Sequence, residues 1–156
     1  MPWHLAGTFL IKNGTSAPRF LPISIKNNYY VLIVKPSAGC STKKVYELAD
    51  TMELKTYDVD AVIKALAEGD DDLLEKSIGN ALDPAGVAIV PEIQIIKDEL
   101  KAKGLKIVLM SGSGSSVAAL STNKKLIKSI AREYEDKYRV EVTKILKQWG
   151  FYVDYW

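Results

Sequence analysis

Cysteine and histidine are nearly missing: Cys40 and His4 are the only ones in 156 residues. A single cysteine makes neither a disulfide framework nor a cysteine metal site, and it points to a reducing compartment, the cytoplasm. A single histidine at the start of the chain is a poor general base, which weighs against Ser-His-Asp and Cys-His chemistry. Long apolar runs are missing too. None reaches 18 residues, so no membrane span is expected. Met1-Pro2-Trp3-His4 has no basic region followed by an apolar stretch, so no signal peptide is expected. Charge of one sign is not in excess: 21 basic residues face 19 acidic ones for a net +2. The basic residues are spread along the chain, so neither nucleic acid nor a membrane surface is expected as a partner.

What is present is the composition of a globular domain, 47% hydrophobic and 26% charged. The length suits one domain, and no repeat, linker or low-complexity tract divides residues 1–156. Thr8 to Lys12 and Phe20 to Ile25 read as strands around an Asn13-Gly14 turn, with Pro18 and Pro22 limiting the second. "YYVLIV", Tyr29 to Val34, is an unbroken β-branched and aromatic run suited to a central strand. Ser41 caps a helix with Val45, Leu48 and Ala49 on one face, and Asp58 to Gly69 is a second helix with Val62, Ile63 and Leu66 inward. Asp70-Asp71-Asp72 begins a third, short helix. A longer one runs from Val90 to Lys103, with Pro91 near its start and Gly104 as its stop. Leu105 to Met110 and Ser116 to Leu120 are strands, Asn123 caps a helix through Tyr138, and Arg139 to Leu146 is the last strand. This order predicts an α+β fold, a ferredoxin-like split βαβ arrangement with helices on one face of a mainly antiparallel sheet.

The stretch "VLMSGSGSSVAAL", Val108 to Leu120, has no use as plain core. It is not a Walker A loop, because Gly114 is followed by Ser115-Ser116 and not by Lys-Ser/Thr. It is not a dinucleotide fingerprint, because Val117 stands where the third glycine belongs, and it holds no nucleophile elbow. What it offers is general. Glycines admit left-handed backbone and close approach, and successive N–H groups with serine hydroxyls make an anion-sized nest. A plain tight connection between two strands is the alternative reading.

Three stretches in order, "YYVLIVKPSAGCSTKKVYELAD", "SIGNALD" and the Ser/Gly stretch, together resemble the GHMP kinase superfamily. Within it they resemble the family of 4-diphosphocytidyl-2-C-methyl-D-erythritol kinases. The first is similar to that family's strand, Lys-Pro, Ser-Thr and Val-Tyr pattern, the second to its Asn-x-Leu-Glu helix. The third is similar to the superfamily's Met-Ser-Gly-Ser-Gly motif. The similarity runs from about Pro2 to Val142 and departs at Ala118 for Phe, at Asp83 for Glu, and at Asn13 to Ser16 for Gly-x-Gly-Glu.

The resemblance implies transfer of a phosphoryl group from ATP, with Mg²⁺, to the 2-hydroxyl of a cytidine diphosphate-linked methylerythritol, in non-mevalonate isoprenoid biosynthesis. It implies the C-terminal domain only. Met1-Pro2-Trp3 resembles the Val-Pro that follows the catalytic Asp, so no catalytic residue is expected in this chain. The N-terminal, ATP-binding half is the expected partner, and the chain alone is expected to be inactive. Carried over by position, Thr42 and Tyr46 are implied substrate-binding residues, Tyr46 by stacking on cytosine. Packing of Tyr46 on the sheet is the alternative. Gly112, Ser113, Gly114 and Ser115 are implied to face the transferred phosphate. A free-standing ferredoxin-like module that binds a small anionic ligand or another chain, without catalysis, is the alternative function. Asp70 to Asp72 with Glu75 read as helix-start acids and not as a metal site, Cys40 reads as a small buried residue, and the aromatic tail from Trp149 to Trp156 either forms an interface or folds back.

Overall fold

β-Branched residues at alternate positions favour extended backbone, and the longest such run forms the centre of the sheet. A computed structural model describes residues 8–11, 19–22 and 24–145. The Asn13-Gly14 turn, His4 and the tail from Trp149 to Trp156 lie outside them. β1 (Thr8–Ile11) and β2 (Arg19–Pro22) pair antiparallel, with Thr8 opposite Pro22. β3 (Tyr30–Lys35) is the "YYVLIV" strand. It lies inside a four-stranded sheet ordered β4-β5-β3-β6, where β4 is Ile107–Met110, β5 is Val117–Ser121 and β6 is Arg139–Lys144. Every pairing in this sheet is antiparallel, with Leu32 opposite Ala119 on one side and Val142 on the other. β3 and β4 therefore run parallel with β5 between them, the split βαβ arrangement.

The helices begin where short polar side chains satisfy free backbone N–H groups. α1 (Thr42–Ala49) is capped by Ser41, α2 (Val59–Glu68) by Asp58 and α3 (Asp71–Ser77) by Asp70. α4 is Asp83–Ile89, α5 is Glu92–Ala102, and α6 (Lys124–Tyr134) is capped by Asn123. α5 and α6 bury Ile93, Ile96, Leu100, Ile127 and Ile130 against Leu32, Val34, Met110, Val117 and Ala119. Ile107 alternates to the other side of β4 and packs with Ala65, Leu66 and Leu74, so α2 and α3 cover the β4 end of the reverse face. α1 rests on α4 through Val45, Ala49 and Ala85.

Several features differ from expectation. Helices lie on both faces of the sheet and not on one, because α2 and α3 bury the β4 end of the reverse face. β2 ends at Pro22 and not at Ile25. α4 has no legible helical pattern: it has seven residues, a central glycine and no side-chain cap. Packing decides it, because a Cβ at Gly86 would stand 2.3 Å from Met110 Sδ, so the bare backbone seats the helix against β4. α6 ends at Tyr134, not at Tyr138. Tyr134 and Tyr138 are both buried at helical spacing with stacked rings 5.6 Å apart, so the apolar period continues through a turn that is no longer helix.

Candidate functional site

The Ser/Gly stretch forms the loop between β4 and β5. It closes where the Ser111 N–H donates to the Ser116 carbonyl at 2.8 Å, and the Gly114 N–H donates back to Ser111 at 3.0 Å. Gly112 and Gly114 have φ of +56° and +88°, a left-handed backbone that explains glycine at both positions. At Gly114 a Cβ would also stand 3.0 Å from both Cys40 Sγ and Met110 Sδ. Ser115 is 3% exposed, and its Oγ has no hydrogen-bond partner among the described residues. A buried hydroxyl left unpaired in this way costs stability.

The N-terminus of α1 meets this loop. Thr42 Oγ1 and Ser113 Oγ are 2.9 Å apart and share a hydrogen bond across 71 positions of chain. Tyr46 lies one turn along α1 on the same face and is 48% exposed. That exposure argues against the packed alternative and leaves the ring available for stacking. The chain thus brings Thr42, Tyr46 and Gly112 to Ser115 to one end of the sheet.

Asn80 was not singled out from the sequence. Its side-chain amide donates to the carbonyls of Met110 at 2.9 Å and Gly112 at 2.7 Å, and its Oδ1 accepts from the Leu82 N–H at 3.0 Å. It joins the loop to the start of α4. The signal was its place in "SIGNALD", where Asn80 stands at the Asn of the Asn-x-Leu-Glu pattern. Nearby, Asp83 pairs with Lys97 at 2.5 Å, while Asp83 Oδ1 is buried without a partner among the described residues.

The remaining candidates are engaged elsewhere. Asp70 caps α3 at 2.9 Å, Asp71 accepts from Tyr29 and Asn27, and Asp72 pairs with Lys106 at 2.8 Å. Cys40 is half-buried against the loop, and burial pushes its thiol pKa up, which disfavours the thiolate. No helix among the described residues is long and apolar enough to cross a membrane.

Comparison with known proteins gives the family and the fold. The family described as "GHMP kinases C terminal" matches residues 62–140, half of the chain. A Geobacillus protein named 4-diphosphocytidyl-2-C-methyl-D-erythritol kinase is 33% identical over 118 residues, which is 72% of this chain and 41% of that protein. A Bacillus velezensis protein of the same name is 35% identical over 98 residues, 63% of this chain and 34% of its own. The chain thus spans about two fifths of the length of these relatives. Among solved structures, a 4-(cytidine 5'-diphospho)-2C-methyl-D-erythritol kinase superposes with a TM-score of 0.65 at 24% identity, covering 81% of this chain and 46% of that one. A mevalonate kinase from L. major superposes equally, at 0.65, with 17% identity, covering 85% of this chain and 47% of that one. These two likenesses establish the fold, and the family match carries the assignment: the chain belongs to the GHMP kinase C-terminal family.

Proposed function

We propose that this chain supplies the substrate wall of an ATP-dependent kinase that phosphorylates the 2-hydroxyl of 4-diphosphocytidyl-2-C-methyl-D-erythritol. The observation that carries this reading is the Thr42–Ser113 hydroxyl bridge, which sets the exposed Tyr46 beside the Ser/Gly loop. Tyr46 stacks on the cytosine, a contact worth about 1–3 kcal/mol for a base on an aromatic ring. Thr42 orients the polyol end of the substrate through its hydroxyl. Gly112 to Ser115 face the phosphate in flight with the backbone N–H groups that the loop does not use in its own closure, the electrostatic positioning on which phosphoryl transfer depends.

The loop leaves room for a phosphate oxygen where Gly112 opens onto free space, while Ser115 Oγ is buried. ATP supplies the transferred phosphoryl group. Magnesium favours carboxylate oxygens, and among the described residues no three metal-binding side chains come together. It also keeps several waters and leans on substrate phosphates. Thr42, Tyr46 and Gly112 to Ser115 carry no carboxylate, so no residue of this site is assigned to Mg²⁺ and no step is routed through it. In this reading proton transfer from the substrate hydroxyl falls to the part of such a kinase that the matched segment does not cover.

The test is titration of the chain with cytidine 5′-diphosphate, followed by amide NMR and calorimetry. Saturable binding that shifts the signals of Tyr46 and Gly112 to Ser115, and that falls about fivefold or more in Tyr46→Ala, is expected. Binding indifferent to Tyr46→Ala, with unmoved loop signals, overturns the substrate assignment. It would leave a ligand-binding module without phosphoryl transfer. ADP release from ATP and the full substrate, measured on the chain alone, is expected to be absent.

A further inference from the structure

β4 is the outermost strand on its side of the sheet, so half of its backbone N–H and C=O groups point away from β5. Beside that edge opens a cleft of about 180 Å³, walled by α3, α5 and β4. Five lysines line it, Lys55, Lys76, Lys97, Lys101 and Lys106, against two carboxylates, Glu75 and Asp83. The whole chain is only +2, so this excess is a matter of placement and not of composition.

Two of the five lysines are neutralised. Lys97 pairs with Asp83 at 2.5 Å, with side chains only 12% and 21% exposed, and Lys106 pairs with Asp72 at 2.8 Å. Among the described residues Lys55, Lys76 and Lys101 have no carboxylate within ion-pair distance. The wall behind them is fixed. The Tyr57 ring lies so close over Gly79 that a Cβ there would stand 1.9 Å from Tyr57 Cε1. Lys55 Nζ sits 5.1 Å from the centre of the same ring. Burial, with the Asp83 charge adding to it and a backbone hydrogen bond with Asn80 opposing, pushes the Tyr57 phenol up, so the wall gains no negative charge at neutral pH. An ordinary solvated lysine face is convex and interleaved with acids; this one is concave, and three of its ammonium groups form no ion pair, although the charge of Lys76 still acts on Asp72.

We propose that this cleft binds a small polyanion of the phosphate class, held by Lys55, Lys76 and Lys101 with the outward amides of β4. Its volume lies below the roughly 300–1,000 Å³ of pockets that enclose drug-sized ligands, so it takes a phosphate or diphosphate group and not a whole nucleotide. It is distinct from the Ser/Gly loop and shares one residue with it. Asn80 lines the cleft, while its amide group holds the loop carbonyls.

The probe is inorganic diphosphate, titrated into the whole chain at low ionic strength and followed by calorimetry and amide shifts. One-site saturable binding is expected, with shifts centred on Tyr57, Gly79 and Val108. The Lys76→Gln/Lys101→Gln pair, at exposed positions, is expected to weaken it about tenfold or more. Lys125→Gln/Lys128→Gln on α6 removes the same charge elsewhere and is expected to leave it within about twofold. Absence of saturable binding overturns the proposal. So do shifts centred on Gly112 to Ser115, or an equal loss in the α6 control.

Discussion

Replacing Asn80 by alanine removes three hydrogen bonds at once, to Met110, Gly112 and Leu82. The three are not equal. Gly112 is exposed, so water takes over its carbonyl at little loss, whereas Met110 is fully buried. A buried group left unpaired costs about 1–3 kcal/mol, and an ordinary hydrogen bond about 0.5–1.5 kcal/mol. α4 has no other side-chain cap, so the loss at Leu82 falls on its first turn. Together these give about 2–4 kcal/mol, a large part of the 5–15 kcal/mol typical of a domain. At this chain length that lowers Tm by about 4–16 °C. Asn80→Asp separates the contributions. It keeps the acceptor for Leu82 but turns carboxylate oxygens toward two carbonyls, so above about pH 5 it is expected to destabilise at least as much as alanine. Urea unfolding measures the free energy, and amide hydrogen exchange measures the loop. A loss below about 0.5 kcal/mol would refute the assignment of Asn80 as the anchor. So would a larger loss that leaves exchange at Gly112 to Ser115 unchanged, because the loop would then be held by something else.

Gly86→Ala places a methyl 2.3 Å from Met110 Sδ and is expected to cost about 1–3 kcal/mol despite the better helix propensity of alanine. Met110→Ala in the same chain makes room, so the double variant, measured by urea unfolding, is expected to be less destabilised than the sum of the singles. Thr42→Val removes the exposed 2.9 Å hydroxyl pair. Its stability is expected to stay within about 0.5 kcal/mol, while exchange of the Ser113 amide quickens and cytidine diphosphate binds more weakly. Tyr29 is held neutral by burial and by its hydrogen bond to Asp71, which push its pKa up to about 12. Below the unfolded value near 10 this contributes nothing that changes with pH. As pH rises from there toward 12, the unfolded chain ionises and the folded one does not, so stability falls by about 2–3 kcal/mol. Urea midpoints across that range should show the fall, reduced in Tyr29→Phe. An equal fall in that variant would assign it to another group.

Within the described residues, the sequence alone determined what depends on neighbours three or four positions apart. Ser41, Asp58, Asp70 and Asn123 each accept from the backbone N–H three residues on, and all four start helices as read. The β-branched run of β3 and the glycines of the loop were legible for the same reason: both are statements about a residue's own φ and ψ. The tertiary structure alone decided what depends on partners far along the chain. α4 exists because Met110 fills the space over Gly86, 24 positions away, and no local period encodes that. Thr42 and Ser113 were named separately, but only folding makes them a pair. Asn80 became the loop's anchor, and five scattered lysines became one cleft, because the sheet places β4 between α3 and α5. Local steric and capping preferences act before the chain is packed, whereas long-range hydrogen bonds and charge convergence arise only once the core has set the distances.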